Sequence, residues 1–231
     1  MGAAGPARAA LAMNVLLFGA SGMVGQGVLR ECLLDADVKR VLSIVRAPTG
    51  QSDPKLRELL HKDFFDFSGM ESELSGFDAC FFCLGVSSAG MKEADYRRVT
   101  YDITLAAARF LAKVNPAMTF VYVSGLGTDS SERGRTMWAR VKGKTENDLL
   151  RLPFKAAYMF RPGGIVPMYG VKSKTRFYQA FLTVFGPLMP LLYRLFPQYV
   201  TTTEQIGRAM LKVAKQGAPK SILETADINR M

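Results

Sequence analysis

The chain has 231 residues, 48% of them apolar, with three cysteines, one histidine and a formal net charge of +10. That length and apolar content can fill the core of a single domain, and they exclude a disordered chain, a repeat array and a disulfide scaffold. The charge excess gathers between Arg133 and Arg176, where eleven Lys or Arg accompany two acids, Glu146 and Asp148. Such a region suits a phosphorylated ligand, an anionic membrane surface or a solvated basic face. No nucleic-acid motif is present, so a nucleic-acid partner is not expected.

Residues 1–12 are small and Ala-rich, too weakly apolar for a secretory signal, and are expected to be a disordered extension. "NVLLFGAS" reads as a buried strand ending at glycine. In "MVGQGVLRECLLD", Val24, Val28, Leu29 and Cys32 share one helical face. "RVLSIVR" is a second strand. "DPKLRELL" fits a helix capped by Asp53, with Pro54 at its first position. "KDFFDF" is expected as a third strand and "DACFFCLG" as a fourth, buried on both faces. Strand alternation places Cys80 and Cys83 on opposite faces, and His61 stands alone. No zinc site is therefore expected, and reduced, buried thiols fit a cytoplasmic chain.

A long helix is expected from about Glu93 to Val114, then a fifth strand in "MTFVYVSG" and a helix in "RTMWARVKGKTENDLLRL". "KAAYMFRPGG" is a sixth strand. "TTTEQIGRAMLKVA" reads as a helix capped by Thr201 or Thr202. Strands alternating with helices predict an α/β fold, a Rossmann-like doubly wound parallel sheet in a single domain over residues 1–231. The Ile165–Tyr199 segment is expected to form a small C-terminal lobe over the open ends of the strands. Its apolar Phe181–Phe196 stretch is broken by Gly186, Pro187, Pro190 and Arg194, so it is not expected to span a membrane, although peripheral contact is open.

"FGASGMVGQG" spaces Gly19, Gly22 and Gly25 between a strand and a helix. In that context the first glycine permits the turn, the second the approach of a pyrophosphate and the third close packing of helix on sheet. The helix start offers free N–H groups to the phosphates. An NAD site wants an acid at the end of the second strand, but this chain offers Arg46 there and no acid before Asp53. A guanidinium suits a 2′-phosphate, so NADP is expected over NAD.

The order and spacing of "GASGMVG", "VR", "KDFFDF", "CFFCLG", "RRVTYDITLAAARFL", "FVYVSGLGTDSS", "WARVKGKTENDL" and "FRPGG" resemble the atypical, extended branch of the short-chain dehydrogenase/reductase family. Within it they resemble the NAD(P)H-binding group that includes the human Tat-interacting oxidoreductase-like protein and its bacterial relatives. The resemblance covers Asn14 to about Gly164. It implies that Gly19, Ala20, Ser21, Gly22, Met23, Val24 and Gly25 wrap the pyrophosphate and that Arg46 meets the 2′-phosphate. Asp63 and Phe64 would flank the adenine, and Leu84 and Gly85 would line the way to the nicotinamide. Ser124 would be the active-site serine, Lys142 would hold the nicotinamide ribose, and Arg161 and Pro162 would lie beside the nicotinamide.

The family's working unit is Tyr-x-x-x-Lys, and here it reads Trp138-Ala139-Arg140-Val141-Lys142. An indole N–H donates a hydrogen bond but does not titrate usefully, so it cannot deliver a proton as tyrosine does. The expectation is an NADP(H)-binding protein impaired in ordinary carbonyl reduction, acting as a sensor or regulator. An active oxidoreductase or epimerase with a rearranged donor is a second reading, with Tyr122, Tyr101, Tyr158 and Tyr169 as candidates. A membrane-surface or protein-binding adaptor is a third. The substrate, protein partner and oligomeric state are left open by the sequence.

Overall fold

The computed structural model describes residues 12–171 and 194–231. The expected extension up to residue 11 and most of the expected lobe, including nearly all of Phe181–Phe196, lie outside them. In chain order the elements are β1 (Met13–Phe18), α1 (Met23–Leu34), β2 (Val38–Val45), β3 (Leu56–Leu60), α2 (Glu71–Leu74) and β4 (Ala79–Phe82). Next come α3 (Glu93–Arg97), a π-helical turn (Arg98–Asp102), α4 (Ile103–Val114), β5 (Thr119–Val123), α5 (Met137–Leu149), β6 (Ala156–Arg161) and β7 (Gly164–Val166). After the undescribed stretch follow β8 (Val200–Thr202), α6 (Thr203–Gln216), β9 (Ile222–Glu224) and α7 (Thr225–Asn229).

Seven strands form one parallel sheet in the order β3-β2-β1-β4-β5-β6-β9, and β7 pairs with β8 in a separate parallel ribbon. The strand period of two divides the core. Leu16, Phe18, Cys80, Phe82, Phe120 and Tyr122 face α4 and α5 on one side. Val15, Leu17, Phe81 and Val121 face α1 and α6 on the other. Cys80 joins the first cluster and Cys83 packs on the second, so the two thiols do lie on opposite faces. Burial pushes all three thiols well above their ordinary range, which disfavours the thiolate.

Two expectations are corrected. "DPKLRELL" is not a helix: Asp53 builds a turn, its carboxylate accepting from the Lys55 amide at 2.8 Å, and Leu56–Leu60 then pairs with β2 as an edge strand. The hydrogen bonds available at the sheet edge outweigh the local helical preference. "KDFFDF" is not a strand. Asp63 and Asp66 accept from the amides two residues on, at 2.9 Å each, folding the segment into successive turns. These turns drop Phe64 and Phe67 edge-on against Phe18, at 6.0 and 6.1 Å between ring centres.

The helix expected from Glu93 to Val114 is present as α3, the π turn and α4 in unbroken succession. Thr202 caps α6, its hydroxyl accepting from the Gln205 amide at 2.9 Å. Among the described residues no helix is long and apolar enough to cross a membrane.

Helix α5 lies unusually close to the loop that follows β5. A methyl group added at Gly143 would stand 1.8 Å from the carbonyl oxygen of Asp129. Gly143→Ala therefore has to push that loop off the helix, a strain of about 1–3 kcal/mol. At roughly 2–4 °C per kcal/mol for a chain of this size, thermal denaturation should show a Tm several degrees lower. An unchanged Tm would show that the loop yields freely.

Candidate cofactor and substrate cleft

The sheet order reverses at β1, whose neighbours β2 and β4 run out in opposite directions. At such a switch point the carboxyl ends of the strands leave a crevice. Gly19 makes the turn out of β1 with φ +85°, and a Cβ there would meet the backbone of Cys83 and Leu84 at 2.7–2.8 Å. At Gly25, a Cβ would stand 2.0 Å from the Gly19 carbonyl oxygen, so this glycine lets α1 close down on the turn. The start of α1 has no side-chain cap and no acid in its first turn. Its free amides and positive dipole end are left for an anion.

Above this turn lies a cavity of about 500 Å³ lined by Gly19, Ala20, Ser21, Gln26, the Ile44–Thr49 segment, Gln51, Phe64 and Leu84. Arg46 sits at its edge, exposed, with no ion pair or hydrogen bond to a described residue. The cavity lining contains no acid. A second cavity of about 460 Å³ continues along the same loop from Val86, two residues beyond Leu84. Its lining includes Ser124, Lys142, Trp138, Tyr96, Leu126 and Pro162.

Ser124 and Lys142 are thus brought together with Trp138, and the tryptophan occupies the helix position one turn before the lysine. The Lys142 ammonium donates to the backbone carbonyl of Ser124. Burial lowers the Lys142 pKa to about 8, while the Glu146 carboxylate pulls it back upward. The Trp138 ring lies against the Gly127 turn, 3.5 Å from where a Cβ would stand, and its indole N–H bonds to no described residue.

Beneath this cavity runs a buried network that the sequence reading did not foresee. Glu146 is fully buried on α5 and receives the Ser124 hydroxyl at 2.5 Å. It also accepts from Arg161 of β6, through Nε at 3.0 and 3.1 Å and through Nη2. Arg161 continues to Glu224 of β9 at 3.3 Å and to the Ser130 hydroxyl at 2.5 Å. Burial lowers the Arg161 pKa, but the Glu146 and Glu224 carboxylates outweigh it and hold the guanidinium above its ordinary value. The resemblance put Arg161 beside the nicotinamide. Its side chain is instead committed to this network, and only Pro162 lines the cavity. The spacing Lys142-x-x-x-Glu146 was the available signal, since it stacks the two groups on one helix face.

Asp63 and Gly85 line neither cavity, and the Asp63 carboxylate is used in its own turn. Gly22, Met23, Val24 and Gly25 form the floor at the start of α1 without lining the first cavity. The four tyrosines considered as substitute donors are engaged elsewhere or buried. Tyr101 donates to Asp148 at 2.6 Å, Tyr169 donates to Glu204 at 2.8 Å and Tyr158 accepts from the Ala218 amide at 3.1 Å. Tyr122 is enclosed in the core. The tyrosine that does line the Lys142 cavity is Tyr96 of α3, and burial raises its pKa. Among the described residues no group of His, Cys, Asp or Glu could hold a metal ion.

No protein-family model matches the chain. It is 31% identical over 153 residues to "Protein FMP52, mitochondrial" of Eremothecium gossypii, a match covering 65% of this chain and 66% of that protein. It is 28% identical over 167 residues to the protein of that name in Saccharomyces cerevisiae, covering 71% and 69%. An Aspergillus oryzae fmp52-2 protein is 24% identical over 220 residues, covering 93% and 95%. These relatives carry mitochondrial names, which overturns the cytoplasmic expectation. Buried thiols report only a reducing interior and do not choose between compartments.

Among solved structures, the thiolation-reductase di-domain of an archaeal non-ribosomal peptide synthetase superposes with a TM-score of 0.67 at 15% identity, over 93% of this chain and 70% of that one. Bordetella bronchiseptica WbmF, in complex with NAD+, gives 0.64 at 13% over 95% and 77%. Helicobacter pylori ADP-L-glycero-D-manno-heptose-6-epimerase gives 0.65 at 15% over 95% and 81%.

A base whose pKa falls on folding binds its proton more tightly in the unfolded chain. Stability therefore rises with pH from about 8, the value in the fold, toward the ordinary lysine value near 10.5. Urea denaturation at pH 7.5 and pH 10 should show this gain in the wild type. It should be smaller in Lys142→Met, and an identical pH dependence in the two proteins would place the Lys142 ammonium in solvent.

The chain thus has a Rossmann-like α/β fold, shared with the solved structures on which it superposes, and is similar in sequence to the FMP52 proteins.

Proposed function

We propose that the chain is an NADP(H)-binding protein of the atypical short-chain dehydrogenase/reductase type, with ordinary carbonyl reduction slow or absent. Its work would then be cofactor-dependent sensing or regulation, in the mitochondrial setting that the names of its relatives suggest. The observation that carries this reading is the second cavity, where Ser124 and Lys142 are both present and Trp138 takes the place of tyrosine.

The residues fit the dinucleotide. The Gly19 turn and the bare start of α1 suit a pyrophosphate, and Phe64 offers an apolar wall in the adenosine half of the cleft. Arg46, free at the edge of a cavity lined by no acid, favours a 2′-phosphate over a bare ribose hydroxyl. Lys142 lies where it would bond the nicotinamide ribose, exchanging its present contact with the Ser124 carbonyl. A bound nicotinamide supplies a hydride, and the chain must then supply a proton to the substrate oxygen.

That proton has no donor at the position where the family carries its tyrosine. The indole of Trp138 can donate a hydrogen bond to a carbonyl but keeps its proton. The Ser124 hydroxyl is already given to Glu146. Tyr96 supports a second reading, an oxidoreductase or epimerase with a rearranged donor, because its side chain reaches the same cavity. Its raised pKa makes it a weaker acid, and the Lys142 ammonium that would correct this is bonded elsewhere.

Two measurements test the reading. Calorimetric titration should give tighter binding of NADPH than of NADH, and Arg46→Asp should erase or reverse that order; equal wild-type affinities would sink the claim. Turnover of NADPH across aldehydes, ketones and quinones should fall below that of a tyrosine-bearing enzyme by about the hundredfold to ten-thousandfold that general acid catalysis contributes. Robust oxidation that survives Trp138→Phe and is lost in Tyr96→Phe would establish the rearranged donor instead.

A further inference from the structure

The loop that carries Arg46 is held by an acid on the neighbouring strand. Glu58 lies in the middle of β3, opposite Ser43 of β2. Its carboxylate receives the Thr49 amide at 3.1 and 3.3 Å and also the Thr49 hydroxyl. The Thr49 oxygen in turn accepts from the Gln51 amide at 3.3 Å. Between them Gly50 turns the chain back with φ +77°. One carboxylate therefore fixes the loop through three bonds to Thr49, which itself ties down Gln51. Both residues line the first cavity together with Arg46.

These bonds also settle what each group is free to do. Thr49 has spent its hydroxyl proton and its amide on Glu58, so neither can be given to a ligand. Glu58 is occupied and does not line the cavity, so it cannot serve as the ribose-binding acid of an NAD site. Arg46 and the Gln51 side chain have no hydrogen bond to a described residue and remain available.

We infer that Glu58 is a positioning residue for cofactor choice: by holding Thr49, it sets the Arg46–Gln51 loop so that its free donors converge on a 2′-phosphate. The inference rests on the NADP(H) reading above. An acid near a phosphate ordinarily weakens its binding by repulsion. Here its charge is spent on two donors of the loop, and the ordering of Arg46 outweighs the repulsion.

The experiment compares NADPH and NADH affinities by calorimetry for the wild type, Glu58→Ala and Glu58→Gln, with apo Tm measured alongside. Loss of a loop anchored by hydrogen bonds to a charged group should weaken NADPH about tenfold in Glu58→Ala. NADH, which has no 2′-phosphate, should change by less than about twofold, and Glu58→Gln should recover part of the loss. Equal weakening of both cofactors, an unchanged ratio, or tighter NADPH binding in Glu58→Ala would overturn the inference, since these are the results of general destabilisation, of no role and of plain repulsion. The cofactor reading fails separately, if the wild type itself shows no preference for NADPH, and the role of Glu58 falls with it.

Discussion

The cleft depends on one buried ion pair, Glu146 with Arg161. Taking two charges out of water is expensive, and the attraction between them repays it only when the remaining donors and acceptors are satisfied. Here they largely are. Glu146, without solvent exposure, takes two arms of one guanidinium and the Ser124 hydroxyl. Arg161 also donates to Glu224 and Ser130. The pair thereby joins α5 to β6, β6 to β9, and both to the end of β5. Ser124, Trp138, Lys142 and Pro162 in the second cavity stand on those elements or beside them, while Tyr96 reaches it from α3.

The same pair sets the electrostatics above it. Lys142 stands one helical turn before Glu146 and feels its carboxylate, but that carboxylate is already neutralised by Arg161. Burial therefore dominates, and the lysine's pKa falls toward neutrality. An ordinary catalytic lysine in this fold is useful as a fixed positive charge that lowers the pKa of a tyrosine. With tryptophan at position 138 there is no such tyrosine, so a lysine that more readily loses its charge forfeits nothing. It keeps its donors for ribose hydroxyls whether or not it is charged. On the proposed reading, binding and chemistry, usually shared by one group of residues, are separable in this cleft.

How much of this was legible in the sequence follows from which interactions are local. The parallel sheet, α1 with its glycine turn, and the Thr202 cap were all readable, because each rests on residues within one element or one turn. The failures came where distant contacts decide. Leu56–Leu60 has the composition of a helix, and only the open edge of β2 makes it a strand. The "KDFFDF" segment has the aromatic content of a strand, but Asp63 and Asp66 fold it locally while Phe18 captures its aromatic rings. In the site, the register from Trp138 to Lys142 was legible from helical spacing alone. The partners of Arg161 were not, since they lie 15 and 63 residues away in the chain.

The contrast between the two ends of the cleft is the stronger functional argument. In the first cavity, where the proposed reading puts the adenosine, one acid, Glu58, is tied to Thr49 of the loop, and one arginine is left free. In the second cavity, where the proposed reading puts the nicotinamide, the acid Glu146 and the serine are tied to each other, and the indole N–H is left free. A free cation selects an anionic ligand strongly; a free indole N–H offers a carbonyl only a neutral hydrogen bond and no proton. On the proposed reading, Arg46 is the unspent polar group for a phosphorylated cofactor, and position 138 offers no proton to the group that the cofactor would reduce.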